Sequence, residues 1–116
     1  MSMSNGNRMK STFYEIGGII MYDKCRTVDQ WIRYITSRKD TEWLMQRNCE
    51  LIVLRPNDEA AWWGRENFQN KVKAVETILD TEEYINSELR KYYYDMKEHE
   101  HSFHDFDRWK IYGRKR

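Results

Sequence analysis

The sequence is poor in cysteine and in long apolar runs, and each shortage excludes a class of protein. Its 116 residues include two cysteines, Cys25 and Cys49, and no C-x-x-C pair. A zinc ribbon, a thioredoxin-like redox motif and a disulfide-rich secreted scaffold are therefore not expected. The longest apolar runs, 17–21 and 51–54, are far shorter than the roughly 20 residues that span a bilayer. We expect no membrane segment, and the N-terminal residues lack the apolar core of a signal peptide.

The sequence also lacks an excess of charge of one sign. The net charge is +1 and the sequence pI is about 7.8, below the value of about 9 that is typical of a dedicated nucleic-acid-binding domain. Aromatic residues make up 15% of the chain and charged residues 34%, which indicates a folded, strongly solvated domain with an aromatic core. We expect a disordered leader over residues 1–10, a single globular domain over 11–116 and a cytoplasmic location.

The region 12–22 has two interpretations. Runs rich in β-forming residues flank Gly17-Gly18, and a two-residue Gly-Gly loop is typical of a hairpin. Thr12 and Glu15 have the spacing of a capping box, which favours a helix start instead. Because two glycines inside a helix would cost about 1 kcal/mol each relative to Ala, the hairpin is the favoured interpretation.

The rest of the chain alternates between helical and strand patterns. Predicted helices cover residues 28–38, 41–47, 59–79 and 82–100, and predicted strands cover 51–54 and 108–112. The first helix opens on a capping box formed by Thr27 and Gln30. The apolar series of the last two helices are out of phase, which predicts a break after Leu79. Together these patterns predict an α+β fold, in which three to four helices pack on a small, mostly antiparallel sheet. The alternative is an all-α helical bundle.

Two clusters of adjacent aromatic residues predict a docking surface. Successive helical residues point about 100° apart, so Trp62 and Trp63 cannot both face one core, and neither can all three tyrosines of 92–94. Exposed Trp and Tyr close to Arg are the residue types enriched at interface hot spots. The predicted partner-binding residues are Trp62, Trp63, Arg65, Tyr93 and Tyr94. The alternative is that the additional rings fold over neighbouring elements and extend the core.

The C-terminal tail predicts a nucleic-acid interface as a second hypothesis. Its basic and aromatic residues are Arg108, Trp109, Lys110, Tyr112, Arg114, Lys115 and Arg116. Cations neutralise phosphates and aromatic rings stack on unpaired bases, so single-stranded nucleic acid is the most compatible partner of this class. The alternative is a basic terminus whose tryptophan is anchored in the core.

The histidine-containing segment 98–105 predicts a metal site as a third hypothesis. If the last helix continued past residue 100, the side chains of His101, His104 and Asp105 would share one face, with Glu98 one turn earlier. Imidazole and carboxylate ligands of this kind suit zinc or non-haem iron. The sequence has no H-E-x-x-H motif and no phosphate-binding glycine loop. The alternative is a solvated helix end, and apart from this site we expect no cofactor.

The sequence contains no convincing catalytic constellation, so we expect a protein that is not an enzyme. The favoured hypothesis is a small interaction protein of the regulator, adaptor or inhibitor type, which docks an aromatic and basic surface on a larger macromolecule. A protein partner or self-association is expected first and nucleic acid second. Accessory proteins of phages and mobile elements are analogous in size and composition alone.

Overall fold

The computed structural model of the protein describes residues 15–16, 19–99 and 105–112, with side chains described within 21–99 and 105–112. Six α-helices make up most of these residues. They are α1 (Val28–Thr36), α2 (Thr41–Leu54), α3 (Pro56–Trp63), α4 (Arg65–Leu79), α5 (Glu88–Glu98) and α6 (Phe106–Tyr112). A two-residue ladder, β1 (Glu15–Ile16) with β2 (Ile19–Ile20), and a 3-10 turn at Tyr22–Lys24 precede α1.

The predicted α+β fold is wrong, because the described residues form an all-α helical bundle. The ladder pairs Glu15 with Ile20 and Ile16 with Ile19 in the antiparallel sense, around the position of the predicted hairpin. Two residues per strand offer no sheet face on which six helices could pack. Instead the helices pack on one another: α4 lies against α1 and α3, and α5 lies against α2 and α6.

Helix α1 begins where its capping box predicts. The Thr27 hydroxyl oxygen accepts a hydrogen bond from the Gln30 backbone N–H at 3.1 Å, and the Gln30 side-chain oxygen accepts one from the Thr27 backbone N–H at 3.2 Å. Both bonds satisfy donors that the first helical turn would otherwise leave unpaired. The helix then buries Trp31, Tyr34 and Ile35 on one face.

The strand predicted at 51–54 is wrong, because these residues are the last turn of α2. The short helix predicted at 41–47 continues without interruption to Leu54. Its buried residues recur at helical spacing: Leu44, Met45, Asn48, Cys49 and Ile52. This single stripe faces the core, so the run at 51–54 belongs to a helix with one buried face.

The predicted helix 59–79 is divided into two helices. Pro56 occupies the first turn of α3, where its missing N–H leaves no donor unpaired. Gly64 separates α3 from α4 with φ of 88° and ψ of 150°. Residues with a side chain rarely adopt this conformation. The glycine therefore permits a sharp change of direction and places Trp62 and Trp63 at the corner.

The break predicted after Leu79 is confirmed. Helix α4 ends at Leu79, a turn follows, and α5 begins at Glu88 rather than at residue 82. Ser87 caps α5, and its hydroxyl oxygen accepts a hydrogen bond from the Arg90 backbone N–H at 3.1 Å.

The strand predicted at 108–112 is also wrong, because this segment lies within α6. Asp105 precedes the helix, and its Oδ1 accepts a hydrogen bond from the Arg108 backbone N–H at 2.8 Å. Trp109 is buried against Tyr92 and Phe106, with ring centroids 5.6 and 6.2 Å away. No helix in the described residues is both long and apolar enough to cross a bilayer.

Candidate docking surface

Trp62 is the most exposed large apolar residue among those whose side chains the structure describes. Its side chain is 77% exposed at the end of α3, while Trp63 is half-buried beside it. The two indole rings meet edge to face, with centroids 6.4 Å apart. The expectation that one of the two tryptophans lies at the surface is confirmed. Arg65 is also exposed, directly after the Gly64 corner.

Trp63 is held in place by a cluster of aromatic rings. Its ring lies edge to face against Trp31 of α1, at 5.0 Å, and against Tyr22 of the 3-10 turn, at 5.2 Å. Tyr22 is 37% exposed and so extends the surface formed by Trp62 and Trp63. We call Tyr22, Trp62, Trp63 and Arg65 the Trp62 surface. Its exposed indole rests on a ring that the core fixes in position.

A buried ion pair lies beneath this surface. Lys71 of α4 has no exposed surface, and its Nζ donates a hydrogen bond to Glu59 Oε1 of α3. The ammonium lies 5.2, 5.5 and 5.9 Å from the ring centroids of Trp31, Trp63 and Tyr22. Burial lowers the pKa of Lys71, and the hydrogen bond and charge of Glu59 oppose that effect. We call these five residues the lysine cage.

Asn67 ties the same region to the start of α1. Its Oδ1 accepts a hydrogen bond from Trp31 Nε1 and its Nδ2 donates one to the Cys25 carbonyl oxygen, both at 2.9 Å. Burial raises the pKa of the Cys25 thiol to about 12. Cys49 is also a free, buried cysteine, and burial raises its pKa as well. Thiols held in the protonated form are poor nucleophiles.

Tyr93, a predicted partner-binding residue, is wholly buried. Its hydroxyl donates a hydrogen bond to Glu76 Oε2 of α4 at 2.6 Å, and burial followed by that bond raises the Tyr93 pKa. The neighbouring Tyr94 is half-buried, and the Arg90 guanidinium and the Lys97 ammonium lie 5.0 and 5.6 Å from its ring centroid. Burial removes Tyr93 from the predicted surface, whereas Tyr94 stays accessible on α5.

The tryptophan of the predicted nucleic-acid interface, Trp109, is buried in the core. Trp109 is 2% exposed, and its Nε1 donates a hydrogen bond to Asp95 Oδ2 at 2.6 Å. Arg108 and Tyr112 are exposed, and the Lys110 ammonium lies 4.5 Å from the Phe106 ring centroid. Arg114, Lys115 and Arg116 lie outside the described residues. The indole of Trp109 is therefore not available to stack on a base.

The predicted metal ligands are described only in part. His101 and His104 lie outside the described residues, Glu98 is exposed, and Asp105 uses one oxygen to cap α6. A different set does converge: His99 Nε2 lies 3.5 Å from Asp95 Oδ1 and 3.8 Å from Glu98 Oε1. Asp95 and His99 are four residues apart at the end of one helix, so helix geometry alone brings them together without a metal. The predicted zinc or iron site stays a prediction.

Sequence reasoning overlooked Trp43, whose side chain is 60% exposed on α2. The signal was its position beside Leu44, which is buried: once 41–54 is recognised as one helix, Trp43 lies off its buried face.

Comparison of the chain with protein-family models, with curated proteins and with solved structures found no match.

Proposed function

We propose that this chain is a small, non-enzymatic interaction protein, of the regulator, adaptor or inhibitor type, that docks its Trp62 surface onto a protein partner. The observation that carries the proposal is the 77% exposure of Trp62 on a ring that is itself fixed. A rigid aromatic side chain loses little conformational freedom when it is covered. Trp and Arg are also the residues over-represented among interface hot spots, and Arg65 lies next to the corner.

Two further observations support a protein partner and a role other than catalysis. The net charge of +1 gives little general attraction for phosphates, and the Trp109 ring is buried. The strongest nucleophile candidates, Cys25 and Cys49, are buried thiols. Two free cysteines also suit a reducing compartment such as the cytoplasm.

The test compares tagged wild-type protein with Trp62→Ala as baits in extracts of the cells that make the protein, with and without nuclease treatment. We expect wild type to retain a protein in fixed stoichiometry and Trp62→Ala to lose it. Loss of a hot-spot tryptophan costs about 2 kcal/mol or more, or roughly thirtyfold in Kd. Light scattering on the purified protein identifies the case in which the partner is a second copy of the chain.

Ile111→Ala is the matched control, because Ile111 is 55% exposed on α6, outside the Trp62 surface. It should bind as wild type does. Trp62→Ala should unfold within about 0.5 kcal/mol of wild type, since exposed side chains contribute little to stability. Equal retention of the partner by wild type and Trp62→Ala would refute the proposal, and so would a partner that nuclease removes.

A further inference from the structure

A pocket lies between α2, the start of α5 with the turn before it, and α6, and it shares no residue with the Trp62 surface. This pocket has a volume of about 520 Å³, within the range of small-ligand sites. The residues that determine its chemistry are Glu42, Trp43, Tyr84, Glu88, Phe106 and Lys110. They come from three helices and one turn, so the pocket exists only in the folded chain.

One wall of the pocket is aromatic. Trp43 is 60% exposed and Phe106 is half-buried. The Lys110 ammonium already lies 4.5 Å from the Phe106 ring centroid, within the distance at which a ring face attracts a cation. The Phe106 ring is therefore already in contact with a cation, and Trp43 supplies the aromatic surface for a positively charged ligand.

Two carboxylates reach the same pocket from different helices. Glu42 is in the first turn of α2 and Glu88 is in the first turn of α5. The helix macrodipole explains why each glutamate is at a helix start, but it does not explain why both line one cavity. The cation that lines the pocket, Lys110, is 3.6 Å from Asp107 and so has a partner of its own. With Lys110 counted, the three charged residues that line the pocket carry a formal net charge of −1, which favours a cationic ligand.

A buried hydroxyl gives an independent indication of a ligand. Tyr84 lines the pocket and is 5% exposed, and its hydroxyl has no hydrogen-bond partner within the described part of the chain. Burial, then the charges of Glu83 and Glu42, raise the pKa of Tyr84, so the phenol is protonated at neutral pH. Buried polar groups are normally paired, and a ligand N–H that reached the Tyr84 oxygen from this pocket would supply the missing partner.

We propose that this pocket binds a guanidinium group, with the plane of the group against Trp43 and its N–H donors directed to Glu42 and Tyr84. A guanidinium is planar and weakly hydrated, stacks on aromatic faces and carries five N–H donors. An ammonium, which is compact and strongly hydrated, would use the aromatic wall less well. The ligand is either an arginine side chain of a protein or a small guanidino compound.

The test titrates ¹⁵N-labelled protein with N-acetylarginine amide and follows the Trp43 indole N–H signal, assigned with a Trp43→Phe variant. The neutral isostere N-acetylcitrulline amide is the control ligand. We expect a saturable shift with the arginine compound that weakens as salt rises and a much smaller one with the citrulline compound. Glu42→Gln should weaken binding about fivefold, as expected for the loss of one exposed charge pair.

Two control variants separate binding from folding. Glu66→Gln removes a first-turn carboxylate from α4, outside the pocket, and should leave the affinity unchanged. Tyr84→Phe should weaken binding without lowering the midpoint of thermal unfolding, because the hydroxyl that it removes has no partner in the described fold. Unchanged affinity in both Glu42→Gln and Tyr84→Phe would overturn the proposal.

The same titrations assign the source of the guanidinium. Tighter binding of a blocked Gly-Gly-Arg-Gly-Gly peptide than of agmatine supports an arginine side chain of a partner protein. Tighter binding of agmatine supports a small guanidino compound. The absence of a saturable shift up to about 20 mM, well above a millimolar Kd, would refute a guanidinium site, and so would equal shifts with the arginine and citrulline compounds.

Discussion

Neutralising Glu59 tests whether the buried ion pair holds α3 against α4. The Lys71 side chain is wholly buried and the Glu59 side chain is 11% exposed, so water has little access to the pair. In Glu59→Gln the amide oxygen can still accept a hydrogen bond, but the ammonium loses its counter-charge. Breaking a buried pair costs about 3–5 kcal/mol. Because the three rings of the lysine cage remain, we expect the lower end, about 3 kcal/mol.

Urea and thermal unfolding, followed by far-UV circular dichroism, measure this cost. At roughly 4 °C per kcal/mol for a domain of this size, the midpoint should fall by about 12 °C. Asp58→Asn is the matched control, because Asp58 is the neighbouring acid of the same helix turn and its side chain is 76% exposed. Its partner Arg55 is also exposed, so this control should lose less than about 1 kcal/mol.

The pH dependence of this stability difference follows from the direction in which the Lys71 pKa is shifted. Burial lowers this pKa below its ordinary value of 10.5, and Glu59 opposes the shift. In Glu59→Gln that opposition is gone, so the folded-state pKa falls further while the unfolded-state value does not change. Between the two values the unfolded chain binds a proton that the folded chain lacks, so the free energy of unfolding rises with pH. The difference in the free energy of unfolding between wild type and Glu59→Gln should therefore narrow as the pH rises through the alkaline range toward 10.5, the ordinary value of the Lys71 pKa.

Two results would refute this reasoning. One is a Glu59→Gln variant that is as stable as Asp58→Asn, and the other is a stability gap that stays constant across this pH range. A double-mutant cycle with Lys71→Met adds a further check. The double variant should be more stable than the sum of the two single effects predicts, because it leaves no buried charge unpaired.

Three further predictions concern the buried face of α5, the corner and the thiols. Tyr93→Phe should lower the free energy of unfolding by about 1–2 kcal/mol, because Glu76 loses a 2.6 Å hydrogen bond; unchanged urea unfolding would contradict this. Gly64→Ala should lower the free energy of unfolding by about 1–3 kcal/mol in the same assay, because a residue with a side chain is strained at φ of 88°. A clash does not contribute, since an added Cβ meets nothing within 4 Å; a stabilised variant would contradict this prediction. Cys25 and Cys49 should resist iodoacetamide at about pH 8 and react once urea unfolds the chain, as mass spectrometry would show; rapid alkylation of the native protein would contradict their burial.

Local signals were sufficient where a single interaction defines an element. The capping box of Thr27 and Gln30 uses atoms three residues apart, so it can be recognised without tertiary information, and α1 begins there. The out-of-phase apolar series likewise predicted the break after Leu79. The strand predicted at 51–54 was wrong because a short continuous apolar run fits a buried strand as well as a buried helix turn. Only the preceding buried residues, from Leu44 onward, identify that run as the end of α2.

The candidate surface was harder to predict because burial depends on how many neighbours a helix has. A helix that packs on one side buries one stripe, which is too narrow for all three tyrosines of 92–94. Helix α5 instead has neighbours on two sides: the Tyr92 hydroxyl donates a hydrogen bond to Glu50 of α2, and the Tyr93 hydroxyl donates one to Glu76 of α4. At the end of α3, in contrast, Trp62 stays exposed beside Trp63. The same sequence pattern thus gives a core in one place and a surface in the other.

The hydrogen bonds of the buried aromatic rings explain how an aromatic core coexists with so high a charged fraction. An indole N–H or phenol O–H taken into the interior normally finds an acceptor. In this fold several acceptors are carboxylates on neighbouring helices: Glu50 for Tyr92, Glu76 for Tyr93 and Asp95 for Trp109. These bonds join α5 to α2, α4 and α6. Part of the acidic content is therefore structural. Neutralising these carboxylates should weaken the contacts between helices and lower the free energy of unfolding, whereas neutralising an exposed acid such as Asp58 should have little effect.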